Sequence, residues 1–279
     1  MEDRIIYIKP KTGLLEIEWG NLLSYKDLIF LFVKRSFISK YKQTILGPLW
    51  FLINPLITSF IYTIVFGKIA GLSTEGVPQL AFYLCSTAIW QYFAACFMGN
   101  ANTFVDNAGI FGKVYFPRIT MPISTVIFSL INFAVTFLLS CAINIYYAFT
   151  GQGIYIGIQF LLVPLLLVQT ALLGLGCGII VSSLTTKYRD LQVLVSFGVQ
   201  LWMYATPVVY SSSVFSGKAR QLIMLNPMSP IVCNYRYAML GCGEFELKSW
   251  AFSWVVTLFI SLVGIVMFNR VEKTFMDLV

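Results

Sequence analysis

The amino-acid sequence predicts an all-α integral membrane protein with six transmembrane helices, on three observations. Of 279 residues, 58% are hydrophobic and only 11% charged, where a soluble domain carries about a quarter charged residues. Six stretches, 48–67, 78–98, 119–148, 154–184, 191–209 and 249–269, are apolar over close to the roughly 20 residues a helix needs to cross hydrocarbon. The 24 Phe, 15 Tyr and 6 Trp suit a chain with lipid interfaces to anchor in and an interior surface to line.

Taken in order, MEDRIIYIKPKTG is too polar for a signal peptide, and RIIYI and LLEIEW around KPKTG read as a small hairpin or irregular cap. A helix follows from Ser24 to about Ile38, opened by a capping box of Ser24 and Asp27. Its Leu28, Ile29, Phe32 and Val33 cover one side and Asp27, Lys34 and Arg35 the other, with Phe30 and Leu31 breaking the pattern. We read it as an amphipathic interface helix lying along the membrane surface. Gly47 and Pro48 then form a corner into the first span, and Pro55 permits a kink within it. This divides the chain into an N-terminal segment, 1–47, and a six-span domain, 48–279.

In the fourth span, LGLGCG carries Gly174 and Gly178 as G-x-x-x-G, a surface for close helix packing within or between subunits. The loop between spans five and six holds two short extracytoplasmic helices. One runs around Ser216 to Met224; the other, MSPIVCNYRYAMLG, has Ser229 as N-cap, Pro230 in its first turn and Gly241 as its stop. Both are expected at the outer mouth.

Charge sets the orientation. Fourteen Lys and Arg fall on the side holding the N-terminal segment, the 99–118 and 185–190 loops and the tail, against five on the other side. Both termini are therefore expected in the cytoplasm. Tyr146, Tyr147 and Phe149 close the third span at the opposite interface.

Composition also excludes function classes. The chain has no histidine, so the usual general base and commonest metal ligand are missing. No C-x-x-C pair occurs among the six cysteines, and only Cys233 and Cys242 are placed to meet as a disulfide. None of the six stretches contains Asp, Glu, Lys or Arg, the residues of ion relays. No G-x-x-x-x-G-K-[ST] phosphate loop exists. What remains is a passive channel, a membrane enzyme, or the membrane half of a pump with a separate motor.

Five separated blocks carry a resemblance: YKQTILGPLW; KVYFPR at 113–118; KYRDLQ at 187–192; QLWMYATPVVY at 200–210; and LNPMSPI with YRYAMLG. From about residue 25 to the tail TFMDLV the chain resembles the membrane (permease) subunit of ATP-binding-cassette exporters for bacterial polysaccharides. The resemblance implies a non-hydrolytic subunit of the bacterial inner membrane, forming a homodimer that joins two ATP-binding subunits. ATP and Mg would be used by those partners, with no cofactor on this chain and no nucleic acid. The cargo implied is lipid-linked O-antigen on undecaprenyl pyrophosphate, with teichoic acid or capsular polymer as alternatives. A membrane glycosyltransferase is the reading from another class; it needs an acidic site at a membrane face, for which only Glu16 with Glu18 and Glu244 with Glu246 offer close carboxylates.

Candidate residues follow, each with a plainer alternative. Arg35, Lys40 and Lys42 gather at the cytoplasmic entrance, either to receive a lipid pyrophosphate or only to orient the span against anionic lipid. Trp50, Tyr62, Phe66, Trp202 and Tyr204 are candidate channel-lining aromatics, whose faces suit the C–H patches of sugars, or else packing residues. In NANTFVDNAGIFGKV, Phe104, Val105, Asp106, Ile110, Phe111 and Lys113 either meet the ATPase or fold back onto their own helices. Arg236 either meets the polymer at the exit or snorkels to outer headgroups.

Overall fold

The computed structural model describes residues 24–42, 44, 46–114, 116–155, 157–188 and 190–274; the expected 1–20 hairpin lies outside them. Every described element is helical. α1 (Lys26–Tyr41) leads through a turn at Gly47–Leu49 to α2 (Trp50–Ile69), whose last turns, Thr63–Ile69, widen into a π-helix. Then come α3 (Gln79–Ala101), the single turns α4 (Thr103–Asp106) and α5 (Ala108–Phe111), α6 (Thr120–Phe149) and α7 (Ile158–Thr185). α8 (Leu191–Tyr204), α9 (Gly217–Leu225), α10 (Met228–Leu240) and α11 (Leu247–Thr274) complete the chain.

Five of these, α2, α3, α6, α7 and α11, are long and apolar enough to cross a membrane, so the chain is a multi-pass membrane protein. The expected sixth span, 191–209, is not a full one. α8 stops at Tyr204, and its 14 residues reach about 21 Å, short of the roughly 30 Å hydrocarbon layer. The cause is Pro207, which has no amide hydrogen and disfavours helical backbone at Thr206, so the chain turns over 205–208.

α3 is the axis of the bundle. Every residue from Ala81 to Trp90 is buried, and α2, α6, α7, α8 and α10 pack around the helix. Two of its hydroxyls are satisfied within it: Ser86 donates to the Phe82 carbonyl at 2.9 Å and Thr87 to that of Tyr83 at 2.7 Å. Glycines on α7 permit the close approach. A Cβ on Gly174 would lie 2.7 Å from Cys96 Cβ, and one on Gly178 2.7 Å from the Phe97 carbonyl oxygen. Gly176, two residues on and so on the opposite face, lets α7 meet α11, where its Cβ would stand 3.0 Å from Ser261 Cα. The G-x-x-x-G surface therefore packs within the subunit.

α10 lies at the end of the bundle that carries Tyr155, whose amide donates to the Leu240 carbonyl at 3.0 Å, and it is buried there. It is wedged into the bundle against α3 and α7, with Ile231, Val232, Tyr235, Ala238 and Leu240 fully buried. Pro227 holds its cap position, Asn226 Oδ1 just before it accepts from the Met228 amide at 3.1 Å, and the expected Ser229 lies inside the first turn. Gly241, at φ +71, stops the helix as expected. α1 likewise starts one residue beyond Tyr25, which occupies the cap position without a side-chain cap, in place of the expected Ser24 box. Its Phe32 and Val33 are buried and the helix packs on α6, while Phe30 and Leu31 point outward.

Candidate functional site

Basic side chains first. Arg35 and Lys42 are exposed, seven residues apart, and so share one face of α1 two turns from each other; Lys40 lies well round the helix. Its Nζ stands 5.8 Å from the Tyr41 ring centroid and 5.6 Å from that of Phe128 on α6. Burial lowers the Lys40 pKa and pushes that of the neighbouring Tyr41 up to about 12. Lys40, unlike the other two, lines a pocket of about 160 Å³ between α2, α3 and α6, together with Trp50, Asn54, Gln91, Asn132 and Thr136. The amides were missed in the sequence. Each sits alone in an apolar run, and only the pairing of three helices brings them together; the visible signal was Ser129, Asn132 and Thr136 at i, i+3 and i+7 of one span.

The aromatic set divides. Tyr62 and Phe66 are neighbours on α2, ring centroids 5.4 Å apart, and the Tyr62 hydroxyl donates to Met203 Sδ of α8 at 3.7 Å. Trp202 is caged within the subunit by Trp90, Phe93 and Phe97, and its Nε1 donates to Asn226 Oδ1 at 2.9 Å. It is a packing residue. Trp50 and Tyr204 stay exposed, at 39% and 54%.

In the 99–118 loop, Phe104 and Phe111 are buried, not displayed. They belong to a ladder of rings, Phe32 to Phe116 at 5.6 Å, Phe116 to Phe111 at 5.8 Å, Phe111 to Phe104 at 6.1 Å and Phe104 to Phe268 at 4.7 Å. The ladder ties α1 through the loop to α11. Val105 and Ile110 are half-buried, and Asp106 and Lys113 face outward. Burial raises the Asp106 carboxyl pKa.

At the opposite end of the bundle, Arg236 is only 2% exposed, its side chain drawn into the subunit rather than out toward headgroups. Its guanidinium donates to the carbonyls of Pro207 at 2.7 Å and Tyr210 at 3.3 Å, and lies 4.4 Å from the Phe82 ring centroid. Those carbonyls belong to the turn that follows α8. A neighbouring cavity of about 340 Å³ is lined by Arg236, Arg220, Glu75 and Glu246 among others. Arg220 pairs with both Glu246 and Glu244, the latter at 3.8 Å, so the acidic pair at this face is engaged by a cation. Cys233 and Cys242 are both free.

Residues 27–240 match the family described as ABC-2 type transporter, membrane class, from the first turn of α1 to the last residue of α10. The chain belongs to that family. Among curated proteins it is similar to two from Klebsiella pneumoniae named O-antigen export system permease protein RfbA, each 26% identical over 92% of this chain and 97% of the relative. A third of the same name, from Myxococcus xanthus, is 27% identical over 77% of this chain and 81% of its own length. As an ABC-2 membrane protein the chain is a transport subunit rather than a catalytic enzyme.

Proposed function

We propose that this chain is the membrane subunit of an ATP-driven exporter that carries lipid-linked polysaccharide, O-antigen on undecaprenyl pyrophosphate, across the bacterial inner membrane. The observation that carries it is the similarity, over 92% of the chain, to permeases of O-antigen export systems. Two copies would form the channel and two ATP-binding subunits would dock on the cytoplasmic side. Both termini are cytoplasmic in this reading, α8 together with the turn after it serves as the sixth crossing, and α1 lies at the interface.

The geometry supports assignments of role. Arg35 and Lys42 present two charges along one face of α1, suited to an extended polyphosphate, and clustered cationic donors favour phosphate oxygens. Asp106 and Lys113 face outward as the coupling surface for the ATPase. Behind them the ring ladder from Phe104 to Phe268 and Phe32 would pass a push at the loop to α11 and α1. Mg and ATP act on the partner.

Reconstitution tests this. In vesicles containing the chain and its cognate ATPase, a polyprenyl-pyrophosphate oligosaccharide should move only when ATP is present. Movement against a gradient by the chain alone would overturn the reading, as would failure to co-purify with any ATP-binding subunit. Replacing Lys40 and Lys42 together by Gln should reduce transport at least tenfold at equal membrane levels; full transport would remove the entrance role.

A further inference from the structure

The pocket between α2, α3 and α6 has a composition unlike the rest of the membrane layer. Each wall contributes one amide, Asn54, Gln91 and Asn132, and α6 adds Ser129 and Thr136. Among the described residues, neither Asn54 nor Gln91 has a side-chain hydrogen-bond partner, and Asn132 Oδ1 is buried with none. Ser129 is satisfied by the Thr125 carbonyl at 2.9 Å. Asn54 is exposed and Gln91 and Asn132 are half-buried, so the amides open onto the pocket, where hydrocarbon would solvate none of them and leaving them unpaired is costly. Three of them converging on one cavity is therefore better explained by an occupant than by packing.

The shape indicates which occupant. Lys40 reaches the pocket beside Phe128, and Thr136 lies eight residues further along α6, about 12 Å deeper. A cation at the rim, neutral amides and a hydroxyl below, and the rings of Trp50, Tyr92 and Phe133 around them suit a phosphate followed by a polyol or sugar. No carboxylate lines it. We propose that this pocket seats the phosphate-and-polyol headgroup of one membrane lipid, with phosphate on Lys40 and hydroxyls on Asn54, Gln91 and Asn132. The lipid is then held as a hairpin, its headgroup tucked into the subunit beside its own tail. This deepens the entrance reading at Lys40, and its test is binding rather than export, so either can fail alone.

Native mass spectrometry of the purified full chain, titrated with three probes, decides the matter. Phosphatidylinositol and farnesyl-phosphoryl-glucose both carry phosphate and polyol; phosphatidic acid carries phosphate only. The first two should bind at least tenfold more tightly than the third. Gln91→Leu with Asn132→Leu should erase that tenfold preference, whereas Lys40→Gln should weaken all three. Whichever of the two polyol lipids binds better identifies the source as phospholipid or glycosyl carrier, and either supports the pocket. Should the double variant not accumulate, Thr136→Val, near-isosteric, should reduce the preference about threefold. Unchanged preference in these variants overturns the proposal. So does a change in dimer mass with lipid binding intact, which would show a second copy covering the amides.

Discussion

α3 and α2 are adjacent spans of similar length, yet they are built on opposite principles. α3 is the least apolar of the five spans and by far the most buried; α6 and α11 are the most apolar and far less buried. α2 shows Ile57, Phe60 and Ile61 outward, and α8 buries only Val199. In water this ordering would be reversed. In lipid, apolar side chains gain little by turning inward, so burial follows packing: α3 encloses large rings such as Phe82, Tyr83 and Phe93 beside the self-satisfied Ser86 and Thr87, and the α7 glycines let the two backbones approach. The axis of α3 and α7 is thus held by shape, and the α2 and α8 pair by a few specific contacts.

Substitution at two glycines tests that contrast most strongly. A Cβ at Gly178 would meet Asn100 Cβ at 2.6 Å and the Phe97 carbonyl oxygen at 2.7 Å, and a backbone carbonyl has nowhere to retreat. Gly178→Leu should cost about 3 kcal/mol and abolish monodisperse protein in fluorescence-detected size exclusion. Gly198, on α8, has nothing within 4 Å. Gly198→Leu should leave the elution profile and melting temperature within experimental scatter. Equal damage at both sites would break the distinction between axis and periphery.

A second substitution acts where the periphery is fastened to the axis. Arg236→Met removes the donor from the Pro207 and Tyr210 carbonyls, leaving buried acceptors unpaired where α8 ends. Relief of a desolvated charge offsets part of the loss, so the expected net is about 2 kcal/mol. Arg236→Lys, a single point of charge without the planar fork, should recover less than half of it. The check is thermal melting in detergent alongside protease sensitivity of the 205–216 segment.

These cases show what was legible in the sequence. The long spans and α1 could be read because run length and the 3.6-residue period are local properties; Phe32, Val33, Phe30 and Leu31 took the sides expected of them. The glycine surface could be read, although its partner α3 could not. α10 was readable as a helix stopped by Gly241, but nothing local says that Ile231, Tyr235 and Leu240 are enclosed by other helices. The short reach of α8 was visible in Pro207 had its effect on Thr206 been weighed. Of the site, the charges were evident from chemistry alone, whereas the pocket beside Lys40 exists only once α2, α3 and α6 are assembled.

Smaller effects sharpen the same comparison. Trp202 is the deep anchor of α8, and Trp202→Phe keeps its ring cage while losing the bond from Nε1 to Asn226. About 1 kcal/mol should go, with increased hydrogen exchange in α8 and none in α3. Tyr204→Phe, two residues on and 54% exposed, should change stability by less than about 0.5 kcal/mol. A reduced transport rate with unchanged stability in Tyr204→Phe would mark that hydroxyl as cargo-facing.

The least effect is expected at Asp106, on the single turn that follows the axis. Burial raises its carboxyl above the ordinary 3.8, so the folded chain holds that proton more tightly than the unfolded one. The resulting stabilisation is fully present below the ordinary value and is lost as pH rises through the raised one. At neutral pH the folded protein therefore carries a partly desolvated charge, and Asp106→Asn removes it. Because the side chain faces outward, solvent screening keeps the gain to a few tenths of a kcal/mol. The difference between wild type and variant should close below about pH 4 and open above it, as read from melting curves across that range. If the carboxylate also meets the ATPase, Asp106→Asn should uncouple hydrolysis from transport while melting slightly higher. A variant that is less stable at pH 7 would show that the loop, unlike the axis it follows, depends on this charge.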